Sequence, residues 1–368
     1  MLNVGIVGFY LSGSSALVDL LKEFEGVGIA LYKDAHGKQR PFEHVPFVTS
    51  GGLFDCVTLL ENSPSIYQSD MIINNFIKAN ERLYYNNFGS FGSYKWLIGD
   101  DFLKLSKVFL RDIGASLDGG MTSEHKIGVR FSIVFLALQI AARIVYNKPI
   151  YKLGKKNITD GRSSYWAAPD KEKLYGAAKR YINGYFKLCY QDDKSLMIFD
   201  QIIRPQNTAF LENIFDSNFK AIIVKRDARD IFYLSKYFVS KPPYSFWNAP
   251  LPTDVDLFCN YWKNNTKFKS SYNNLYVLQF EDLIYNYEQT VEELCSFLDL
   301  SLSKHQNKKR FFNPELSINN TQTFYENKTT IIEAKKIEQL IPECIYNFPY
   351  KRKPNKNKIF DNPKETKR

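Results

Sequence analysis

A strand, a glycine-containing loop and a helix follow one another within the first 24 residues, and this unit constrains the fold most. Leu2 to Val7 form a short, mainly apolar run rich in β-branched residues, which is typical of a buried strand in a parallel sheet. Ala16 to Phe24 carry apolar residues at helical spacing, and Ser12 to Ser15 supply small polar residues that suit a helix N-terminus. Such a loop directs unpaired backbone N–H groups and the positive end of a helix dipole at one point. The sequence therefore predicts an anion site, most often one for phosphate, in this loop.

The spacing of Gly8 and Gly13 equals that of the two glycines in a nucleotide P-loop, but the next residue differs. A nucleoside triphosphatase has a lysine there, which reaches the β- and γ-phosphates, whereas this chain has Ser14. The missing lysine argues against ordinary ATP or GTP hydrolysis and favours a ligand whose 5′ phosphate lies in the loop without a γ-phosphate. A nucleotide kinase or another P-loop phosphotransferase stays open as an alternative.

Three apolar runs in the second half of the chain end in charged residues. The runs, with the first charges that follow them, are Ser195–Phe199 with Asp200, Lys220–Val224 with Lys225-Arg226-Asp227, and Leu275–Phe280 with Glu281-Asp282. The carboxyl ends of parallel strands lie along one edge of a sheet, where α/β proteins bind their ligands. We therefore predict a three-layer, P-loop-like α/β fold in which helices flank a central parallel sheet.

The length and composition fit one large domain with a tail. With 368 residues, of which 44% are hydrophobic, the chain has enough apolar material for a large core. We predict a single domain over residues 1–350, with a mostly helical insertion over roughly residues 55–190. Residues 351–368 hold eight Lys or Arg and two acids, which predicts a basic, disordered tail. Peripheral contact of the tail with an anionic membrane and an ordinary solvated terminus are both open interpretations, and no nucleic-acid partner is expected.

Cysteine, histidine and hydropathy patterns argue against several classes of protein. The five cysteines include no CxxC pair and the four histidines show no HxxxH spacing, so neither a disulfide framework nor a metal site is predicted. The apolar run Phe131 to Tyr146 is interrupted by Gln139 and Arg143, which favours a buried helix over a membrane span. The N-terminus lacks the pattern of an export signal. We expect a cytoplasmic protein, located at the inner face of the membrane if the tail binds lipid.

Three stretches of the chain together resemble motifs of the sulfotransferases that use 3′-phosphoadenosine 5′-phosphosulfate (PAPS). Ser12-Gly13-Ser14-Ser15 is similar to their 5′-phosphosulfate loop, which is usually Ser-Gly-Thr-Thr. Val224 to Asp230 resembles their 3′-phosphate motif, usually Val-Arg-Asp-Pro-Arg-Asp, and Phe280-Glu281-Asp282-Leu283 resembles the Tyr-Glu-Asp-Leu that closes the last core strand. Residues 36–62 also resemble a subgroup found among bacterial polysaccharide-synthesis proteins, in which a Glu precedes a Gly-Gly-Leu-x-Asp turn.

The resemblance implies a set of nucleotide ligands. They are Ser12, Gly13, Ser14 and Ser15 for the 5′ phosphosulfate, Arg226 and Ser235 for the 3′ phosphate, and Lys309 and Arg310 in a late loop that closes over the nucleotide. The family's serine usually follows the arginine by eight residues, which is Leu234 here, so Ser235 comes one residue later. For the late segment, an ordinary solvated connection is the alternative interpretation.

One position departs from the family's pattern. The family usually has Lys or Arg immediately before the loop serine, where this chain has Leu11, so the usual cation on the sulfuryl group is missing from its place. Lys33, Lys38 and Arg40 are candidates to replace it, and the sequence does not rank them.

The resemblance also implies the reaction. A sulfuryl group would pass from PAPS to an acceptor hydroxyl, on a carbohydrate or a glycan precursor, without a metal. Glu43 precedes the Gly51-Gly52 turn, as in the subgroup, and is the expected general base. The adjacent His44 is its rival, because imidazole titrates near neutral pH. A non-catalytic, nucleotide-binding relative of these enzymes stays open as an alternative.

Overall fold

A central parallel sheet of five strands is the scaffold of the protein. The computed structural model describes residues 1–9, 11–29, 31–33, 39–41, 45–62, 65–85, 94–113, 116–118, 140–141, 144, 164–166, 169–238, 251–268 and 271–360. The strands within these residues are β1 (Leu2–Gly8), β2 (Val27–Ile29), β3 (Leu31–Lys33), β4 (Gln39–Pro41), β5 (Ser116–Asp118), β6 (Ser164–Trp166), β7 (Leu196–Asp200), β8 (Phe219–Lys225) and β9 (Leu275–Gln279). The order across the central sheet is β2-β7-β1-β8-β9, with every neighbouring pair parallel. The predicted fold class is confirmed.

Helices cover the sheet and fill the stretch between β2 and β7. Those with described bounds are α1 (Ser14–Leu21), α2 (Val45–Val48), α3 (Leu53–Glu61), α4 (Ile66–Tyr85), α5 (Tyr94–Leu97), α6 (Asp101–Ile113), α7 (Lys171–Cys189), α8 (Ala228–Tyr233), α9 (Val255–Asn265), α10 (Asp282–Tyr285), α11 (Tyr287–Leu298), α12 (Pro314–Ser317) and α13 (Lys328–Leu340). The remaining strands form two antiparallel pairs, β3 with β4 and β5 with β6. The stretch Phe131 to Tyr146 lies almost entirely outside the described residues. Among the helices that are described, none combines the length and the hydropathy needed to cross a bilayer.

Both faces of the sheet are buried, and residues that alternate along a strand enter different cores. Val4 and Ile6 of β1 belong to a core cluster with α1 and α11, whereas Val7 belongs to the cluster formed with α3, α4, α6 and α7. In β8, Ile222 and Ile223 divide in the same way. Burial on two sides explains why these strands are continuous apolar runs. Their parallel pairing places the carboxyl ends of β1, β7 and β8 at one edge.

The first ten residues of the predicted tail pack against the domain. Ile359 is buried in a cluster with Tyr233 and Leu234, and the backbone N–H of Arg352 donates to Gln322 Oε1 (2.9 Å). The predicted disorder is therefore wrong for residues 351–360. The prediction is based on the charge of the tail, and charge gives no information about the buried side chain of Ile359 or the backbone hydrogen bonds of the tail. Residues 361–368 lie outside the described residues.

A buried carboxylate ties the late segment to the C-terminal end of α1. Glu23 is fully buried and accepts from the backbone N–H groups of Lys309 (3.0 Å), Phe311 (2.7 Å) and Phe312 (3.0 Å). Its Oε2 also lies 2.8 Å from His305 Nε2. One side chain therefore fixes the path of the chain after α11.

We expect Glu23→Ala to lower the free energy of unfolding by about 3 kcal/mol or more, because it leaves three backbone N–H groups without their acceptor. Urea denaturation followed by circular dichroism measures this loss. Glu25→Ala is the matched control, since Glu25 is exposed and accepts only from Gln306 among the described contacts; its effect should stay within about 0.5 kcal/mol. Equal losses for the two variants would show that Glu23 does not anchor the segment.

Candidate active site

The loop between β1 and α1 turns on two residues with left-handed backbone conformations. Leu11 has a φ of 63° and Gly13 a φ of 90°, and the N–H of Ser12 donates to the carbonyl of Phe9 (2.9 Å). A Cβ on Gly13 would overlap the ring of Phe280. Both backbone conformation and packing therefore require glycine at residue 13, and α1 begins at the next residue with its N-terminus on the loop.

Two loop hydroxyls converge over the Cα atom of Gly8. A Cβ at Gly8 would lie 2.7 Å from Ser14 Oγ and 2.8 Å from Ser12 Oγ. Ser14 Oγ accepts from Gln201 Nε2 (3.1 Å), whereas Ser12 is fully buried and its Oγ has no hydrogen-bond partner among the described residues. A buried hydroxyl without a partner costs free energy unless a ligand supplies the bond. Ser12 therefore fits an oxygen of a phosphate or phosphosulfate, while Ser15 is exposed on the first turn of α1.

A buried carboxyl group lies beside the loop at the end of β7. Asp200 pairs in register with Ile6, two residues before Gly8. Its Oδ1 is buried and lacks a partner within the described part of the chain, and burial raises the pKa of this carboxyl to about 7. Near neutral pH a large share of the molecules carries a protonated Asp200, which reduces the negative charge at an edge suited to anions.

Arg226, at the end of β8, connects the loop to the late segment. Its Nη1 donates to the carbonyl of Leu11 (2.7 Å) and its Nη2 to the carbonyl of Asn320. The guanidinium lies 4.8 Å from the ring centroid of Phe280. The same ring packs against Gly13, where it leaves no room for a Cβ atom. The structure thus gives Arg226 a role in fixing the loop, and its contact with a 3′ phosphate stays a prediction.

Three buried acids surround this arginine. Asp227 holds Arg229 through two hydrogen bonds, to Nε (3.0 Å) and to Nη2 (2.7 Å). Asp230 accepts from the backbone N–H groups of Gln322 and Thr323 and from the Thr323 hydroxyl. Burial raises the pKa of Asp230 to about 6. Glu281 accepts from the N–H of Asp227 (2.9 Å), and burial raises its pKa to about 8. Glu281 is therefore mostly protonated at neutral pH, which leaves two arginines facing two carboxylates.

Ser235 lies in a widened turn of its helix. α8 continues directly into a π-helical turn, Leu234–Phe238. A π turn holds about one residue more than an α turn, and Ser235 comes one residue later than the serine of the family's pattern. Leu234 is fully buried in the apolar cluster that contains Phe324. The π turn accommodates an extra residue at this point, and the nucleotide-binding role of Ser235 stays a prediction.

Lys309 and Arg310 lie at the end of α1 that is remote from the glycine loop, and their contact with the nucleotide stays a prediction. Their backbone lies at the C-terminal end of α1, where Glu23 accepts from the N–H of Lys309, and an eight-residue helix is about 12 Å long. Lys309 Nζ lies 3.3 Å from Glu315 Oε1, and Arg310 donates to Asn307 (3.1 Å). The late segment is linked to the loop indirectly at Asn320, whose carbonyl accepts from the same arginine, Arg226, that donates to Leu11.

The structure does not describe every predicted residue. Glu43, His44 and Lys38 lie outside the described residues, and only the backbone is described at Lys33 and Arg40. The side chain of Leu11, which stands where the family usually has a cation, packs against an apolar cluster formed by Tyr233, Leu234, Phe324, Ala334 and Ile359.

A cleft of about 570 Å³ opens beside the loop. Its walls include Gly8 of β1, Gln201 after β7 and residues of α3 and α9. Among the described residues, its charged lining consists of Arg204 and Asp55 and its aromatic lining of Phe9, Tyr261 and Trp262. Sequence reasoning assigned none of these five to a site. The sequence contains one indication that Arg204 belongs to a site, which is its position shortly after the end of a strand. It contains none for the residues of α9, because only the tertiary structure brings this helix to the cleft.

Residues 200–353 match the model of the sulfotransferase domain family. The matched stretch, 154 of the 368 residues, is similar to a sulfotransferase domain. The sulfotransferase domain of the olefin synthase from Synechococcus PCC 7002 is similar with 11% identity, 95% coverage of each chain and a TM-score of 0.39. Sulfotransferase STF9 from Mycobacterium avium is similar with 12% identity, 96% coverage of this chain, 78% coverage of that chain and a TM-score of 0.35. Both TM-scores lie below 0.5, so neither structure assigns a residue role here. The predicted sulfotransferase resemblance is confirmed, without its polysaccharide-synthesis subgroup.

The raised pKa of Glu281 makes stability depend on pH. Between about 4.5 and about 8 the folded sulfotransferase domain keeps a proton that the unfolded chain has released, so its free energy of unfolding falls as the pH rises. We expect Glu281→Gln to flatten this fall, by up to about 1.4 kcal/mol for each unit of pKa shift removed.

Denaturant titrations at about pH 5 and about pH 8 measure the effect. Glu288→Gln, at an exposed glutamate of α11, is the control and should keep the slope of the wild type. A Glu281→Gln variant with the same slope would assign the pH dependence to other groups.

Proposed function

We propose that the protein transfers a sulfuryl group from PAPS to a hydroxyl of a carbohydrate or glycan precursor. The observation that carries this proposal is the Ser12 hydroxyl, which is buried without a partner in the described structure, in a glycine loop at a helix N-terminus. The sulfotransferase domain over residues 200–353 supplies the reaction class. The loop lacks the lysine that a γ-phosphate requires, which favours PAPS over ATP as the nucleotide.

The donor fits the loop through backbone and hydroxyl groups. The N–H groups at the start of α1 and the hydroxyls of Ser12 and Ser14 would hold the 5′ phosphosulfate, and Gly8 leaves the space over its Cα open to these hydroxyls. Ser235 and Arg226 are the proposed ligands of the 3′ phosphate. Both terminal nitrogens of Arg226 already donate to carbonyls, so this contact requires the arginine to exchange one carbonyl for a phosphate oxygen.

The reaction needs a base, and the acceptor needs a site. The acceptor oxygen attacks sulfur, the bond from sulfur to the bridging oxygen breaks, and adenosine 3′,5′-bisphosphate leaves. Glu43 is the proposed base and His44 its rival. Tyr261, Trp262 and several side-chain amides line the cleft beside the loop, and this combination of aromatic and amide groups suits a sugar ring.

Ser12→Ala separates binding from folding. Because the hydroxyl lacks a partner in the described structure, its removal should leave the melting temperature unchanged or raise it slightly. The affinity for adenosine 3′,5′-bisphosphate should fall about tenfold, since a hydrogen bond to a charged group contributes about 1.5–3 kcal/mol.

Isothermal titration calorimetry with adenosine 3′,5′-bisphosphate and with ATP measures this, with Ser195→Ala as the control at a serine that donates to Gly26 away from the loop (3.3 Å). Wild-type protein that binds ATP but not adenosine 3′,5′-bisphosphate would overturn the proposed function. An unchanged affinity in Ser12→Ala would remove Ser12 from the site.

The general base is tested by two neighbouring substitutions. We expect Glu43→Gln to lower turnover about 10²–10⁴-fold with nucleotide affinity nearly unchanged, and His44→Asn to have little effect. Transfer of labelled sulfate from PAPS to a panel of oligosaccharides gives turnover. The reverse pattern would make His44 the base, and two fully active variants would show that neither residue is the base.

A further inference from the structure

The cleft beside the loop contains an arginine that the proposed reaction has not yet used. Sulfuryl transfer builds negative charge on the oxygen that leaves with the 5′ phosphate, and a nearby cation stabilises that charge. Leu11 supplies none, because its side chain packs against apolar residues. Within the described part of the chain, Arg204 is the lysine or arginine that lines the cleft.

Arg204 has hydrogen-bond donors to spare. Its Nη1 lies 3.6 Å from Asp55 Oδ1. The two groups form an ion pair at this distance, but they are too far apart for a hydrogen bond. Its Nε is buried and has no partner among the described residues. The side chain is 31% exposed, so the guanidinium is held on one side and opens to the cleft on the other. An arginine has five N–H donors, and this one can direct several of them at an anion.

Asp55 is itself fixed by a glycine turn. Its Oδ2 accepts from the backbone N–H of Gly51 (3.0 Å), where φ is 75°. A Cβ at Gly52 would lie 2.7 Å from the carbonyl of Pro46 and 2.8 Å from that of Thr49. The Gly-Gly-Leu-Phe-Asp stretch is therefore a rigid support for the carboxylate that faces Arg204.

The start of the loop, Gly8 and Phe9, lines the same cleft. Gly8 and Gln201 line it together with Arg204, and Gln201 Nε2 donates to Ser14 Oγ (3.1 Å). A phosphosulfate bound by the Ser12 and Ser14 hydroxyls would therefore extend toward the wall that carries Arg204.

We propose that Arg204, positioned by Asp55, contacts the transferring sulfuryl group and the bridging oxygen, and so provides the cation that Leu11 does not. This inference rests on the proposed function. In the step, the acceptor oxygen forms a bond to sulfur, the bond from sulfur to the bridging oxygen breaks, and its electrons stay on adenosine 3′,5′-bisphosphate. The acceptor proton goes to the general base. Arg204 keeps its own protons and acts through charge and hydrogen bonds.

Comparing two nucleotides that differ only in the sulfuryl group tests the contact. We expect Arg204→Gln to weaken PAPS binding at least tenfold and adenosine 3′,5′-bisphosphate binding less than twofold, and to lower turnover about 10²–10³-fold. Arg204→Lys, which keeps the charge, should recover part of the turnover. Arg180→Ala is the control, because Arg180 pairs with Asp112 on the helical side of the protein (2.8 Å) and should change neither affinity.

Asp55→Asn tests the positioning role. We expect it to lower turnover and the preference for PAPS over adenosine 3′,5′-bisphosphate while the melting temperature stays within about 2 °C. Added guanidinium at low millimolar concentration should raise the turnover of an Arg204→Ala variant and leave that of Asp55→Asn unchanged, which a merely structural arginine would not show.

The possible results distinguish a failure of the Arg204 contact from a failure of the proposed function. Equal losses for both nucleotides in Arg204→Gln, or a change confined to the KM of the acceptor, would overturn the sulfuryl contact while the proposed function stands. Wild-type protein that binds neither nucleotide would overturn the proposed function and the inference together. Should Arg204→Gln fail to fold, the nucleotide comparison made on Arg204→Ala decides, and an unchanged preference for PAPS there overturns the contact.

Discussion

The conformation of the loop between β1 and α1 depends on the two hydrogen bonds of one buried arginine. Arg226 donates to the carbonyl of Leu11 on one side and to that of Asn320 on the other, and Phe280 lies between its guanidinium and Gly13. Bonds from a charged donor contribute about 1.5–3 kcal/mol each. Burial of the charge opposes this, and the acids around Arg226 offset that cost. The loop conformation, the end of β8 and the late segment are therefore one coupled unit.

Unpaired buried polar atoms are concentrated around this unit. Four of the eight such side-chain atoms in the described structure belong to Ser12, Asp200, Arg204 and Arg226, which lie at the loop or in the cleft beside it. Folded proteins pair nearly all buried polar groups, so a concentration of exceptions at one sheet edge marks a place where a ligand completes the hydrogen bonding. Because the scaffold already holds these groups in place, a ligand bound there would require little reorganisation of the protein.

The late segment is fixed at two separate points. Glu23, beyond the C-terminal end of α1, holds residues 309–312, and Asp230 accepts from the backbone N–H groups of Gln322 (2.8 Å) and Thr323 (2.6 Å). Between these anchors the chain passes from one end of α1 toward the other, where Asn320 meets Arg226. The segment is thus linked to the loop through the Asn320 carbonyl and Arg226, whereas the N–H of Lys309 is held by Glu23 beyond the far end of α1.

The sequence by itself determined the sheet, the loop and the reaction class. Apolar runs buried on both faces show which residues form parallel strands, and a glycine loop before a helix predicts where an anion would bind, because both properties are local in the chain. Tertiary structure alone decided which charges meet. Arg204 reaches Asp55 across 149 positions of sequence (residues 55 and 204), and the tail places Ile359 in a cluster with residues of α8. The nucleotide contact of Lys309 and Arg310 stays a prediction. The late segment that carries them shows the same limit: its basic composition gives its charge, whereas the backbone bonds to the buried Glu23 decide which end of α1 it contacts.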